Sequence, residues 1–296
     1  MSLAIETISA MPPLARLRQA AALNRAADAL ALAGLRRRFP AATPSELGVA
    51  LAVQRIGSTA TPQLRDLLAK ETTVSDTPVD FLSVAARAAA ACDTLGIPYL
   101  IGGGVASTVH GEFRTTRDVD LIVRVPLAQA GAFAALLAQT FVVQPHDVFD
   151  ALGRVPDIIN DRRQRATFAA YDRATGYQLD VFCVSDSAYD TEQLARAVVI
   201  DVPEAQTSLR IASAEDTILT KLEWYAITPS DRQWDDVQTI LRVQTGTLDL
   251  VYLDTWASRL GIAPLWATTQ HGGRPPHHSS VSDDAPDPRQ TRMDLN

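Results

Sequence analysis

The sequence predicts an α/β fold of the α+β type, in which a small mixed β-sheet is flanked by helices and extended by helical elements at both ends. Three observations lead to this prediction. Short segments rich in β-branched and apolar residues alternate with helical patterns in the middle of the chain. The Ala- and Leu-rich N-terminal stretch has apolar residues at helical spacing, and so does the C-terminal stretch.

Size and charge restrict the function. The chain has 296 residues, enough for two modest domains, and 47% of them are hydrophobic, which allows a sizeable buried core. The formal net charge of −7 argues against a surface coated in positive charge for passive nucleic-acid binding. A local basic groove is compatible with that charge.

The cysteines and the termini predict a soluble, cytoplasmic protein. Cys92 and Cys183 lie in apolar segments without metal-like spacing and are expected to be small buried residues in a reducing compartment. The N-terminus lacks the pattern of a signal peptide. No apolar run approaches the roughly 20 residues that span a bilayer, so no membrane partner is expected.

Residues 1–75 are predicted to form an N-terminal helical unit and a linker. A helix over 12–39 ends before Pro40, because proline disfavours a helical conformation in the residue before it. Thr43-Pro44 then provides the N-cap and the first residue of a second helix, which runs to Gly57. A short helix over 62–70 follows in the linker.

Residues 76–205 are predicted to form the central core. Thr77-Pro78 repeats the helix-start pattern, and Gly96 ends the helix that follows. The next predicted elements are a strand at 97–102, a short helix at 105–111, a strand at 118–125, a helix at 126–139, a strand at 141–143, a helix near 146–153, and a hairpin-like pair of strands at 165–172 and 177–184.

The remainder of the chain is predicted to be helical and to end in a disordered tail. Residues 206–269, assigned to the same domain, contain the predicted helices 213–227, 231–244 and 249–260. The tryptophans of these helices are expected to be core residues. Residues 270–296 are rich in Pro, Gly, His, Ser and Asp, and they cannot bury enough apolar surface to offset chain entropy.

A glycine-rich turn is the first feature that indicates chemistry. The strand at 97–102 ends in Gly102, and Gly103 and Gly104 lead directly into a helix. Glycine lets the backbone approach a ligand closely, and the first N–H groups of a helix are available to phosphate. An ordinary tight turn is the alternative interpretation.

Three aspartates predict a metal site beside this turn. Asp118 and Asp120 are two residues apart in a strand, so both side chains leave the same face, and a cation would relieve their repulsion. Mg²⁺ prefers one or two carboxylates together with phosphate oxygens and water. The alternative is an edge strand whose charged outer face pairs with Arg117 or Arg124. Asp180 lies in an otherwise apolar strand and needs a partner, either the same metal or an arginine.

This region resembles the minimal nucleotidyltransferases of the DNA polymerase β superfamily, whose pattern is a hydrophobic residue, two small residues, a gap and Asp-x-Asp. Gly103-Gly104 is followed here by thirteen residues and then by Asp118-Val119-Asp120. The pattern HG-x-x-R-x-T-x-D-x-D is similar to that of the AbiEii/MenT-type enzymes, some of which are toxins of toxin–antitoxin systems. The resemblance covers about residues 78–262, and its further members are His110, Gly111, Arg114, Thr116, Lys221 and Asp236.

The resemblance implies a role for each matched residue. Asp118 and Asp120 would hold the metal ions that bridge the triphosphate of an NTP, and Asp180 would bind the second metal and help to activate the acceptor hydroxyl. Gly103 and Gly104 would contact phosphate through their backbone amides. The rest of the nucleotide-binding set is Arg114, Thr116, the catalytic Lys221, which would neutralise triphosphate charge, and Asp236, which would fix Lys221 or the metal shell.

These roles imply a metal-dependent enzyme that moves an NMP from an NTP to a hydroxyl and releases pyrophosphate, with two Mg²⁺ ions, or Mn²⁺, as cofactors. The acceptor would be RNA, especially a tRNA 3′ end, or a small molecule of the aminoglycoside type, and an antitoxin-type protein is a candidate partner. The basic segment 161–165 lies where an acceptor could approach. The alternative is a catalytically degenerate, nucleotide-binding regulatory module, since Gln178-Leu179 stands where relatives often have a lysine.

Overall fold

The structure is a computed structural model that describes residues 8, 10–57, 60–71, 80–160 and 166–270. In this part of the chain, a seven-stranded mixed β-sheet is surrounded by helices, which confirms the predicted fold class. The strands are β1 (Tyr99–Ile101), β2 (Asp118–Val123), β3 (Phe141–Val142), β4 (Ala166–Asp172), β5 (Gln178–Cys183), β6 (Val198–Val202) and β7 (Thr207–Ile211), in the spatial order β3-β4-β5-β2-β1-β7-β6.

Helices precede, separate and follow these strands. The first seven are α1 (Pro13–Arg38), α2 (Pro44–Ile56), α3 (Pro62–Glu71), α4 (Phe81–Leu95), α5 (Gly103–His110), α6 (Ala130–Thr140) and α7 (Pro145–Gly153). They are followed by α8 (Val155–Asn160), α9 (Ala188–Ala195), α10 (Ala214–Ile227), α11 (Asp231–Val243), α12 (Leu250–Arg259) and α13 (Ala263–Gln270). The predicted tail lies outside the described residues, except for Gln270, which ends α13.

The N-terminal helices start and end where their local signals predict. Thr43 Oγ1 accepts a hydrogen bond from the backbone N–H of Glu46, and the Glu46 carboxylate accepts one from the Thr43 N–H. This reciprocal capping box satisfies two N–H groups that have no partner within the helix. The predicted helices over 12–39, 44–57 and 62–70 are therefore confirmed as α1, α2 and α3.

The expected start of α4 is wrong. Thr77-Pro78 lies outside the described residues, and α4 begins only at Phe81. Asp80 is its N-cap, since the Asp80 carboxylate accepts hydrogen bonds from the N–H groups of Leu82 and Ser83. Aspartate is as good an N-cap as threonine, and it is the residue that directly precedes the apolar run.

The prediction that everything after the 165–184 strand pair is helical is also wrong. β6 and β7 form an antiparallel hairpin, and β7 joins the main sheet through parallel pairing with β1. The connection contains a short 3₁₀ turn and Gln206, whose φ of 50° is one that glycine or asparagine usually adopts. The usual glycine-containing hairpin signal is therefore missing from the sequence.

Two large apolar clusters hold the fold together. The first fills the space between one face of the sheet and helices α1, α4 and α6, and it includes Leu17 of α1 and Val119 of β2. The second lies among the C-terminal helices and buries Trp234 and Trp256, as expected for core tryptophans. Trp224 is only half-buried, and its ring meets that of Phe182 edge-on, with the centroids 6.2 Å apart. Within the described residues, no helix is long and apolar enough to cross a bilayer.

Candidate active site

Asp118, Asp120 and Asp180 lie on one face of two neighbouring strands. β2 and β5 run parallel and in register, so Asp120 is directly opposite Asp180, and Asp118 is opposite Gln178. Residues alternate between the two faces of a strand, and Val119, which follows Asp118, is completely buried in the core. β2 lies between β5 and β1, so the interpretation of the acidic pair as the outer face of an edge strand is wrong.

The three carboxylates differ in exposure and in local contacts. Asp118 and Asp120 are half-buried, whereas Asp180 is 5% exposed. The Thr116 hydroxyl lies 3.3 Å from Asp118 Oδ1, and Gln178 Nε2 donates a 2.7 Å hydrogen bond to Asp180 Oδ1. Gln178 therefore supports the most buried of the three carboxylates with a neutral amide.

The glycine turn brings the backbone directly against the acidic pair. Gly103 has a φ of +52°, and a Cβ on it would lie 1.6 Å from Asp120 Oδ2. A Cβ on Gly104 would lie 2.5 Å from Thr116 Oγ1. The Gly102 N–H donates a 2.9 Å hydrogen bond to the Asp120 carbonyl, which ties the turn to β2. Glycine is thus needed at Gly103 for both conformation and space, and at Gly104 for space.

Helix α5 begins at this turn without a side-chain cap. Gly102 is its N-cap and offers no side-chain acceptor to the first N–H groups of the helix. Those groups have no partner within a helix, and the helix dipole makes this end electropositive. They therefore favour an anion such as phosphate, whereas Asp120 beside them repels it. A cation between the anion and the carboxylates would remove that conflict.

Asp236 connects two cationic side chains beside α5. Its two carboxylate oxygens accept hydrogen bonds from Arg114 Nε and Nη2 at 2.9 and 2.8 Å, and Lys221 Nζ lies 2.9 Å from Oδ2. Ser107 of α5 donates a further hydrogen bond at 3.3 Å. Burial opposes the charged form of Asp236, but the Lys221 charge and the Arg114 guanidinium outweigh it and lower the Asp236 pKa to about 2. The structure thus brings Lys221, Arg114 and Asp236 together.

Arg232 is a candidate site residue that the sequence interpretation did not identify. It is exposed at the start of α11, four residues before Asp236, and no hydrogen bond or ion pair joins it to another described residue. Loss of surrounding water lowers the pKa of its guanidinium, as does the positive charge of Arg114, whereas Asp118 and Asp236 raise it. Arg232 therefore lies within electrostatic reach of the acidic face. The i, i+4 spacing to Asp236 on a predicted helix was the signal that could have revealed it.

His110 forms a buried structural contact rather than part of the acidic face. His110, at the end of α5, is buried, and its Nε2 lies 2.7 Å from the Ala212 carbonyl oxygen. Burial lowers its pKa to about 4, so its ring is neutral near pH 7. This contact joins the end of α5 to the residue that follows β7.

The donor set fits a hard divalent cation, although the side chains are not arranged around one. Among the described residues, no three His, Cys, Asp or Glu side chains are already grouped as a metal site. Asp118, Asp120 and Asp180 nevertheless share one face, and oxygen ligands of this kind suit Mg²⁺ and Mn²⁺. Asp120 and Asp180 lie on directly opposed residues of β2 and β5, so both carboxylates leave the same face of the sheet. The basic segment 161–165 lies outside the described residues.

Comparisons with known proteins return distant similarities in structure. No protein-family model matches the chain, and no curated protein is significantly similar to it in sequence. Two similar structures are of the antibiotic-resistance factor ANT(2″)-Ia, one in solution and one a crystal structure in complex with adenylyl-2″-tobramycin, with TM-scores of 0.35 and 0.36. A third is an antigenic nucleotidyltransferase-like protein from Paracoccidioides brasiliensis, with a TM-score of 0.34. Each is 16% identical to this chain and covers 64% of it, and the matches span 98%, 98% and 92% of the three other chains.

Proposed function

We propose that this chain is a metal-dependent nucleotidyltransferase that moves an NMP from an NTP to a hydroxyl acceptor and releases pyrophosphate. The observation that supports it most directly is the juxtaposition of three aspartates on one sheet face with the uncapped, glycine-lined start of α5. The carboxylates repel a phosphate group, whereas the start of the helix attracts it. A divalent cation bound to both the phosphate and the carboxylates would remove this repulsion.

The side chains around this point have complementary tasks in the proposed reaction. The amides of the glycine turn would donate hydrogen bonds to the triphosphate. The exposed Arg232, which forms no ion pair with another described residue, would add a positive charge. Asp236 would hold Lys221 and Arg114 in place rather than touch the nucleotide. When bound, Mg²⁺ would neutralise charge on the triphosphate and on the leaving pyrophosphate.

In this proposal, Asp180 acts on the acceptor. It is the most buried of the three carboxylates and lies opposite Asp120, on the side of the sheet that continues into β4. In the proposed step, the acceptor oxygen attacks the α-phosphorus and gives its proton to Asp180, while the bond to pyrophosphate breaks. The catalysis would then consist mainly of positioning and electrostatic stabilisation.

An RNA end is our preferred acceptor, and a small molecule is the alternative acceptor. Phe182 lies two residues beyond Asp180 on the same face of β5, and half-buried Trp224 packs against it edge-on. An aromatic pair beside the catalytic carboxylate suits a planar base, and such stacking contributes roughly 1–3 kcal/mol per base. The motif from His110 to Asp120 supports the AbiEii/MenT-type subset, and an antitoxin-type partner stays a prediction.

Nucleotide binding is the first test of this proposal. With Mg²⁺, one NTP at about 100 times its dissociation constant should stabilise the folded protein by roughly 2.7 kcal/mol. The melting temperature should then rise by roughly 5 °C or more. The measurement is a thermal-shift series with each of the four NTPs and with Mg²⁺ or Mn²⁺, controlled by the metal alone and by the NTP with a chelator. If no NTP shifts the transition with either metal, the chain is not a nucleotidyltransferase.

Arg232→Ala should weaken Mg²⁺–NTP binding by about 10-fold, because a charge-assisted hydrogen bond to phosphate contributes roughly 1.5–3 kcal/mol. Stability should change by less than about 0.5 kcal/mol, since the exposed side chain forms no hydrogen bond with another described residue. The dissociation constant would be measured by titration calorimetry. Arg242→Ala is the matched control, because Arg242 lies on the same helix but pairs with Glu112. Equal affinity for wild type and Arg232→Ala would remove Arg232 from the site.

A further inference from the structure

Thr116 stands between the N-terminal helix and the first aspartate of the candidate site. Its hydroxyl donates to the Asp118 carbonyl at 3.1 Å and lies 3.3 Å from Asp118 Oδ1. Its backbone N–H donates to Asn24 Oδ1 of α1 at 3.2 Å. Its backbone carbonyl accepts from Asn24 Nδ2 at 2.5 Å and from the Tyr177 hydroxyl at 2.6 Å. One asparagine side chain therefore holds both backbone groups of Thr116.

These contacts are fully buried and fit together without spare polar groups. Asn24 is 6% exposed, Thr116 3% and Tyr177 1%. Asn24 Nδ2 also donates to the Tyr177 oxygen at 2.6 Å, so the two clamping side chains support one another. Burial raises the pKa of the Tyr177 hydroxyl well above its ordinary value, which keeps its proton available for donation to the Thr116 carbonyl. Buried polar groups of this kind are costly unless every partner is in place, which makes the position of Thr116 specific.

The first two helices are also anchored to the loops on either side of Asn24's contacts, at Gly111 and at Thr175. Arg16 of α1 donates to the Gly111 carbonyl at 3.3 Å, just after α5 ends. Arg55 of α2 lies over the Tyr177 ring at 5.0 Å, donates to the Thr175 carbonyl and forms two hydrogen bonds with Asp28 of α1. The apolar side chains of α1, such as Leu17, pack against the core but do not by themselves define the position of the loop before Asp118. The polar contacts add a defined position for the segment that precedes Asp118.

We propose that Asn24 is a positioning residue, through which the N-terminal helical unit places Asp118 for metal binding. The chain of contacts runs from the Asn24 carboxamide to the Thr116 backbone, and from the Thr116 hydroxyl to the Asp118 carboxylate. The inference rests on the proposed function, because it concerns the metal ligands of that site. It assigns to residues 1–75 a part in the reaction besides packing.

The test measures metal affinity directly. Binding of Mn²⁺ in the presence of the NTP identified by thermal shift would be followed by electron paramagnetic resonance of the free ion. Asn24→Leu keeps the branching and the number of side-chain heavy atoms but removes all three hydrogen bonds of the carboxamide. We expect its Mn²⁺ affinity to fall about 10-fold, within the range for residues that support a metal ligand. The transfer rate should fall at limiting Mn²⁺ and recover in part at saturating Mn²⁺, which a general loss of folded protein would not produce.

Matched variants separate positioning from folding. Arg18→Ala removes a polar contact of the same helix, to Glu204, far along the chain from the site, and should bind Mn²⁺ as wild type does. Tyr177→Phe removes one of the two donors to Thr116 while keeping the ring, and should show a smaller loss in the same direction, which keeps the test decisive if Asn24→Leu does not fold. Wild-type Mn²⁺ affinity in both Asn24→Leu and Tyr177→Phe overturns the positioning role and leaves the proposed function intact. If the wild type itself binds no Mn²⁺ with any NTP, both proposals fail.

Discussion

Asp120→Asn should reduce nucleotidyl transfer by at least about 100-fold and leave the melting temperature within about 2 °C of wild type. Residues that only support a metal ligand already change affinity or activity by roughly 10–100-fold, so a ligand itself should have a larger effect. Asparagine has nearly the same size as aspartate and removes one of three neighbouring negative charges, so we expect the fold to be retained. The rate would be measured as transfer of label from an α-³²P-NTP to total RNA.

The control for this prediction is an aspartate close in sequence that lies off the acidic face. Asp186 is exposed in the turn after β5, and Asp186→Asn should transfer label at the wild-type rate. Asp118→Asn should behave as Asp120→Asn does, because both side chains leave the same face of β2. Full transfer activity in either Asp118→Asn or Asp120→Asn would show that the metal assignment is wrong.

The acidic face could be predicted because it depends on local patterns. Side-chain alternation alone places Asp118 and Asp120 on one side of a strand. The hairpin around Gly176 makes β5 a neighbour of β4. An aspartate in an otherwise apolar strand, as Asp180 is, needs a metal ion or a cationic side chain as its partner. The remaining step, the parallel pairing of β2 with β5 that puts Asp180 opposite Asp120, followed only from the assumption of a shared metal. The structure supplies that pairing independently.

The contacts that organise the site could not be predicted in the same way. Asn24 and Thr116 are 92 residues apart, and Arg114 and Asp236 are 122 apart, so no periodicity relates them. In the sequence, Asn24 is an ordinary polar residue on a helix whose neighbours are Ala, Leu and Arg. The β6–β7 hairpin was not predicted from the sequence for a related reason. Its turn uses Gln206 in place of glycine, and its stability comes from burial of Leu209 and Ile211 against the distant core.

Asp236→Asn should destabilise the protein by about 3 kcal/mol, because removing one partner of a buried ion pair leaves the other charge uncompensated. Two cations are left in this case, Arg114 and Lys221, whose exposed fractions are 25% and 14%. Both oxygens of Asp236 accept hydrogen bonds, so either orientation of an asparagine amide places an N–H group against a cationic donor. Chemical denaturation would give the loss of unfolding free energy, and the melting temperature should fall by at least roughly 6 °C.

The pH dependence of that loss distinguishes the ion pair from a packing defect. The pKa of Asp236 is lowered from 3.8 to about 2 in the folded protein, so its contribution is complete above pH 3.8 and is lost as the pH falls through about 2. The difference in unfolding free energy between wild type and Asp236→Asn should therefore stay constant from pH 8 to pH 5 and narrow only below about pH 4. Asp235→Asn, which changes the exposed neighbour, should match wild type throughout. A difference that persists unchanged at the lowest pH would mean that Asp236 acts through its shape rather than its charge, and that Lys221 and Arg114 do not depend on it for their position.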